Sequence, residues 1–109
     1  MFNNLAKVIV RKYKNHPSLL AWILGNELKM PFSSNSSSFY KTYNRLLDMI
    51  HKEDPNHPVT TTIINYQKGS ILNINWKIRN LDFISINTYN RLKEIPEQLS
   101  LVSRIWNGP

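Results

Sequence analysis

Cysteine is absent from the chain, which excludes a disulfide framework and thiolate metal sites and leaves the redox compartment unread. Glycine is scarce, with three residues, and no Gly-rich loop follows an apolar segment. That removes the main sequence support for a nucleotide-binding sheet. No stretch approaches the roughly 18 consecutive apolar residues of a membrane-spanning helix, and the N-terminus shows no apolar signal core followed by small residues. His16, His51 and His57 lack metal-ligand spacing, so neither a metal site nor a membrane partner is expected.

Acidic residues are the minority charge. Fourteen Lys plus Arg against seven Asp plus Glu give a formal charge of +7, which raises the question of an acidic partner. The basic residues, however, come singly or in short groups such as Arg11-Lys12-Tyr13-Lys14. That spacing suits the solvated face of a helix at least as well as a nucleic-acid stripe, and no nucleic-acid partner is expected. With 109 residues, 41% of them hydrophobic, the chain can bury one core.

What is present alternates between two periods. Phe2, Leu5, Ile9 and Tyr13 recur at helical intervals, with Asn3 or Asn4 available as N-cap, and Pro17 ends that helix near Asn15. Leu19 to Leu24 is an apolar run without alternation, as in a strand covered on both faces, and it stops at Gly25-Asn26-Glu27. Ser33 to Ser38 reads as a loop and holds the sequon Asn35-Ser36-Ser37, relevant only to a secreted eukaryotic chain. Phe39, Tyr43, Leu46, Leu47 and Ile50 mark a helix closing before Asp54-Pro55, and Val59 to Ile64 is a β-branched strand. Ser70 is a candidate cap for a helix lined by Ile71, Ile74, Ile78 and Leu81, and Asp82 to Asn87 is a third strand. Pro96 and Glu97 suit the first turn of a last helix with Leu99, Val102 and Ile105 inward. The order αβαβαβα predicts an α/β fold with parallel strands, either a doubly wound sheet or part of a (β/α) barrel.

In a barrel, catalytic groups project from the C-terminal ends of strands. Glu27 stands at such an end, although an Asn-Glu pair at an arbitrary strand end often only turns the chain. The surrounding residues are more specific. Asn15-His16-Pro17-Ser18, the apolar strand with Trp22, and Gly25-Asn26-Glu27 resemble strand four of the family 2 β-glycosidases of clan A. Asp54-Pro55-Asn56-His57-Pro58-Val59-Thr60 is similar to that family's lead into strand five, and Asp82-Phe83-Ile84-Ser85-Ile86-Asn87-Thr88-Tyr89 to its strand six. The three motifs occur in family order and span nearly the whole chain.

The resemblance implies that residues 1–109 are an internal piece of a catalytic (β/α)8 TIM barrel, about strands four to six with their helices. It implies a retaining β-glycosidase acting on a carbohydrate β-glycoside, with Glu27 as general acid/base and no cofactor. Asn26 then corresponds to the Asn that bonds the sugar 2-hydroxyl, Tyr89 to the Tyr whose hydroxyl holds the nucleophile, and Asn87 to a rim residue facing substrate. Leu28 stands where clan members often carry Pro. Family members carry the nucleophile Glu on strand seven, which Trp106-Asn107-Gly108-Pro109 resembles only in its lead-in, so the 109 residues alone are expected to be inactive. Asp48, Glu53, Asp54, Asp82, Glu94 and Glu97 fall in helices or at the opposite strand end and offer no substitute. Trp22, inside the strand, is expected in the core rather than as a sugar platform. The same residues leave two other readings open, a noncatalytic remnant or interaction module and a basic nucleic-acid binder. In the complete enzyme, burial and the neighbouring carboxylate are expected to raise the pKa of Glu27 so that it starts protonated, and within these residues only burial can act.

Overall fold

The structure, a computed structural model, describes residues 2–27 and 36–109. Among these, helix α1 (Phe2–Tyr13) is followed by strand β1 (Trp22–Asn26), α2 (Ser37–Glu53), β2 (Val59–Ile64), α3 (Lys68–Lys77) and β3 (Phe83–Asn87). A 3-10 turn at Leu92–Glu94 then leads into α4 (Ile95–Ile105). The strands form one parallel sheet in the order β1-β2-β3. Each crossover carries a helix, the repeating unit of a (β/α) barrel, and the sheet is open at β1 and at β3.

Central β2 explains why an unbroken β-branched run was selected there. Val59 through Ile63 are all buried, with Val59, Thr61 and Ile63 at no measurable exposure. Its outer face meets Leu47 and Ile50 of α2 and Ile71 and Ile74 of α3 in one hydrophobic cluster. Burial of each such side chain contributes about 1.5 to 3 kcal/mol before chain entropy is charged against it. Of the polar members of β2, Thr60 is satisfied within the sheet, its Oγ1 donating to the Phe83 carbonyl at 2.8 Å and lying 3.1 Å from Ser85 Oγ, whereas the buried Thr61 hydroxyl has no hydrogen-bond partner among the described residues. Asn44 of α2 accepts from the Arg79 backbone N–H and donates to the Lys77 carbonyl, both at 2.8 Å, so α2 also fixes the end of α3.

The N-terminal ends of the strands are held by two carboxylates. Asp54, only 1% exposed, accepts from the Trp22 indole N–H at 2.8 Å and the Asn56 backbone N–H at 3.1 Å, and pairs with His57 Nδ1 at 2.8 Å. Burial is the largest influence on its pKa and raises it, but the hydrogen bonds from Trp22, His57 and Asn56 together outweigh burial and hold it below the usual carboxylate range. Asp82 accepts from the Val59 backbone N–H at 2.7 Å and meets His51 Nε2 at 2.8 Å.

Several boundaries and faces differ from expectation. The first strand begins at Trp22, not Leu19, because Leu19 is still turning: its N–H donates to the His16 carbonyl at 3.0 Å. The ladder starts where Trp22 N–H reaches the Pro58 carbonyl, and Leu20 is left 85% exposed. An apolar run cannot reveal where its partner strand begins. Helix α1 starts at Phe2, ahead of Asn3 and Asn4, so neither is its cap. Its stripe of Leu5, Ile9 and Tyr13 is exposed while Val10 is buried, because α1 leans on the side of α2, where Arg11 and Lys7 pair with Glu53. Ser70 lies inside α3 rather than capping it, its hydroxyl donating to the side chain of Gln67, the residue at the cap. On α4, Val102 and Ile105 face inward as expected, but Leu99 is exposed and Gln98 takes the buried place. Of the expected loop from Ser33 to Ser38, Ser37 and Ser38 already belong to α2, while residues 33–35, with the sequon's Asn35, and Leu28 lie outside the described residues.

Candidate functional site

The C-terminal end of β1 does not run straight off the sheet. Ile23 pairs with Thr60 and Asn26 with Thr62, so β1 carries one residue more than β2 between those pairs. That is a β-bulge, a device that re-aims side chains at a sheet rim. Gly25 adopts φ of 89°, a backbone region that L side chains rarely enter, which is the local reason for glycine there. Glu27 follows at φ of 55° and is pinned by its N–H to the Thr62 carbonyl at 2.9 Å. From below, the Tyr43 hydroxyl of α2 donates to the Leu24 carbonyl at 2.5 Å, so the core helix grips the bulge itself. Burial pushes that hydroxyl's pKa up to about 12.

The bulge turns Glu27 across the end of β2 toward the end of β3. Glu27 Oε1 accepts a hydrogen bond from the Tyr89 hydroxyl and one of 2.9 Å from Asn87 Nδ2. Asn87 Nδ2 also donates to Asn26 Oδ1 at 3.1 Å. All four residues singled out in the sequence, Glu27, Asn26, Asn87 and Tyr89, are thus one hydrogen-bonded group on one rim, contributed by two strands that do not touch. Among the described residues, neither Glu27 Oε2 nor Asn26 Nδ2 has a hydrogen-bond partner.

The electrostatics correct one expectation. Glu27 is half-buried, but the hydrogen bond from Tyr89, and after it that from Asn87, lower its pKa below the ordinary carboxylate value against the opposing effect of burial. Donors to the ionised form favour it, so in this arrangement Glu27 is an anion at neutral pH. The same bond, with burial and the negative charge behind it, raises the pKa of Tyr89. The Tyr89 hydroxyl, which the resemblance assigns to a nucleophile, here donates to Glu27.

Sequence reasoning passed over Asn65. It follows β2 with φ of 49°, its N–H donates to the Asn87 carbonyl at 2.8 Å, and its Oδ1 accepts from the Tyr89 N–H at 2.8 Å. The available signal was an Asn closing a β-branched strand, a residue that tolerates left-handed geometry.

The other carboxylates lie elsewhere, Glu94 and Glu97 at the start of α4. Asp48 meets Arg79 and Asn80, and Glu53 meets Arg11. Trp22 is half-buried against the core at the far end of β1 from Glu27. No group of three His, Asp or Glu residues among those described is placed to hold a metal ion. Nor is any described helix long and apolar enough to cross a membrane.

Comparison with known proteins adds one finding. The family model for the TIM barrel domain of family 2 glycosyl hydrolases matches residues 2–107, nearly the whole chain. No curated protein matches the sequence.

Proposed function

The chain belongs to glycosyl hydrolase family 2, through that family's TIM barrel domain, and on this premise we propose that it carries the acid/base half of a retaining β-glycosidase site. The substrate is a carbohydrate β-glycoside, nucleic acid is not a partner, and no cofactor takes part. The observation that carries this reading is the position of Glu27, beyond the bulge at the C-terminal end of β1 and bonded to Tyr89 and Asn87 from β3.

Glu27 protonates the departing glycosidic oxygen and then, as carboxylate, takes a proton from the water that attacks the glycosyl-enzyme ester. The ester is formed by a second carboxylate about 5 to 5.5 Å away, which the family resemblance assigns to a segment beyond these 109 residues. That neighbour also supplies what the present arrangement lacks. A second negative charge at such a distance raises the pKa of Glu27 against the lowering effect of Tyr89 and Asn87, and makes it a proton donor. Asn26, with its Nδ2 directed to the rim, bonds the sugar 2-hydroxyl, and Asn87 holds Asn26 and Glu27 in register for it.

The test is hydrolysis of nitrophenyl β-glycosides and of alkyl β-glycosides, whose leaving groups are poor, by three proteins: the 109 residues alone, the chain continued through the rest of its barrel, and the continued chain with Glu27→Gln. The first should show no turnover and the second should be active. The third should lose about 10² to 10⁴-fold in rate on substrates with poor leaving groups, the usual contribution of a general acid. An active continued enzyme indifferent to Glu27→Gln would remove the acid/base assignment.

A further inference from the structure

We propose that Asn65 is a positioning residue, clamping the turn after β3 so that Tyr89 is delivered to Glu27. It rests on the reading of Glu27 as the acid/base, but it arises from a different strand and is tested without any assay of hydrolysis.

The clamp has two points. The Asn65 backbone N–H donates to the Asn87 carbonyl, carrying the β2–β3 ladder one residue beyond the Ile64↔Asn87 pair. Its side-chain Oδ1 takes the Tyr89 backbone N–H at 2.8 Å. Asn87 and Tyr89 are the two residues whose side chains bond Glu27 Oε1. One residue thus fixes the backbone on both sides of Thr88, and with it the origin of both side chains. Asn65 reaches the two groups from the left-handed conformation, with φ of 49°.

The residue type fits this duty. Asn and Gly enter left-handed geometry with the least cost, and of the two only Asn also offers an acceptor. Tyr89 itself is 68% exposed, and its one side-chain hydrogen bond among the described residues is the one to Glu27. Without the Asn65 acceptor, the turn keeps its anchor at Asn87 but loses the one at Tyr89.

Substitutions separate the two points of the clamp. Asn65→Gly keeps the left-handed backbone and the N–H to Asn87 while deleting the acceptor for Tyr89; Asn65→Asp keeps both. The readouts are the Glu27 carboxyl titration by ¹³C NMR, assigned with Glu27→Gln, and hydrogen exchange of the Tyr89 amide. In the unmutated chain the Tyr89 amide should be protected. Asn65→Asp should retain that protection and Asn65→Gly should lose about three- to tenfold of it, the equivalent of one ordinary hydrogen bond. Asn65→Gly should raise the Glu27 pKa, the direction also expected of Tyr89→Phe, and should add nothing in a Tyr89→Phe background. An unprotected Tyr89 amide in the unmutated chain overturns the clamp before any variant is made. So does a Glu27 titration that responds to Tyr89→Phe but not to Asn65→Gly, or an Asn65→Gly effect undiminished by Tyr89→Phe. None of these outcomes depends on turnover, so the hydrolase reading stands or falls separately with Glu27→Gln.

Discussion

Asp54 and Glu27 flank the same strand, β1, one near each end, and the chain treats them in opposite ways. Both Asp54 oxygens are used, one by the Asn56 N–H and the other by Trp22 and His57, and the carboxylate is sealed from solvent. Glu27 is half-buried, stands on strained backbone, and has one oxygen engaged while the other faces the rim. The contrast extends to the strands as a whole. Ladders at the N-terminal end begin in regular register, with Asn80 before β3 the one left-handed residue there among those described, whereas the C-terminal end holds a bulge, a glycine at positive φ, and left-handed Glu27 and Asn65. Backbone strain of this kind costs about 1 to 3 kcal/mol per residue and persists where the surroundings over-determine it. One end of the sheet spends its polar groups on holding the fold. The other holds a carboxylate in place and keeps part of it available.

The sharpest division of the two ends comes from Asp54→Ala. It strands the Trp22 indole N–H and the Asn56 N–H without their acceptor, and loss of a buried, paired carboxylate costs about 3 kcal/mol or more of stability. Urea unfolding should show that loss. Acid should show it too: a carboxylate held below its usual pKa stabilises the fold above the unfolded value of about 3.9, and that contribution is lost as pH falls through the folded value. Stability should therefore decline with falling pH below about 4, less steeply in Asp54→Ala. Glu27 and Glu53, whose pKa values are also lowered, leave a residual slope. A pH dependence unchanged by Asp54→Ala would mean that the two ends do not differ in the way described.

How much of this was legible in sequence follows from the range of each signal. The β-branched run Val59–Ile64 gave its strand to the residue, because β2 is covered on both faces and its composition reports that directly. The run before Glu27 placed β1 three residues early, since where a ladder begins depends on the partner strand rather than on the run. Local periodicity likewise gave α1 its length but the wrong inward face, which depends on where α2 lies against it. At the rim, Glu27, Asn26, Asn87 and Tyr89 were found through motif resemblance. Asn65 belongs to no quoted motif, and its role arises only when β2 and β3 lie side by side. The lowered pKa of Glu27 was missed for the same reason, because its donors come from residues sixty or more positions along the chain.

Gly25→Ala probes the strained end. A Cβ at φ of 89° costs about 1 to 2 kcal/mol if the bulge persists. If the strand instead slips to remove the bulge, Asn26 and Glu27 exchange faces, because side chains alternate along a strand. Both outcomes lower the urea midpoint, and the second also abolishes the Tyr89 effect on the Glu27 titration. An unchanged midpoint would show that the bulge is relaxed rather than held.

The smallest effect expected is that of Tyr43→Phe, and it tests whether the two ends are independent. Tyr43 belongs to the core, 4% exposed and packed beside Phe39, yet its hydroxyl leaves that core to donate to the Leu24 carbonyl, next to Gly25. The bulge falls between the Ile23 and Asn26 pairings, so Leu24 lies where the ladder is irregular and a side-chain donor matters most. Phenylalanine keeps the ring and its packing and removes only the donor, leaving a carbonyl to be satisfied; the cost is about 1 to 2 kcal/mol. Because burial holds the hydroxyl protonated up to about pH 12, the loss should be the same at pH 5 and pH 9. Exchange of the Glu27 amide, whose acceptor is the Thr62 carbonyl, should quicken in Tyr43→Phe, while that of the Val59 amide, bonded to Asp82, should not. Equal acceleration at both amides would mean that the sheet loosens as one body. Acceleration confined to Glu27 would mean that the core grips the site through this single hydroxyl, and that the strained end can be slackened without disturbing the other.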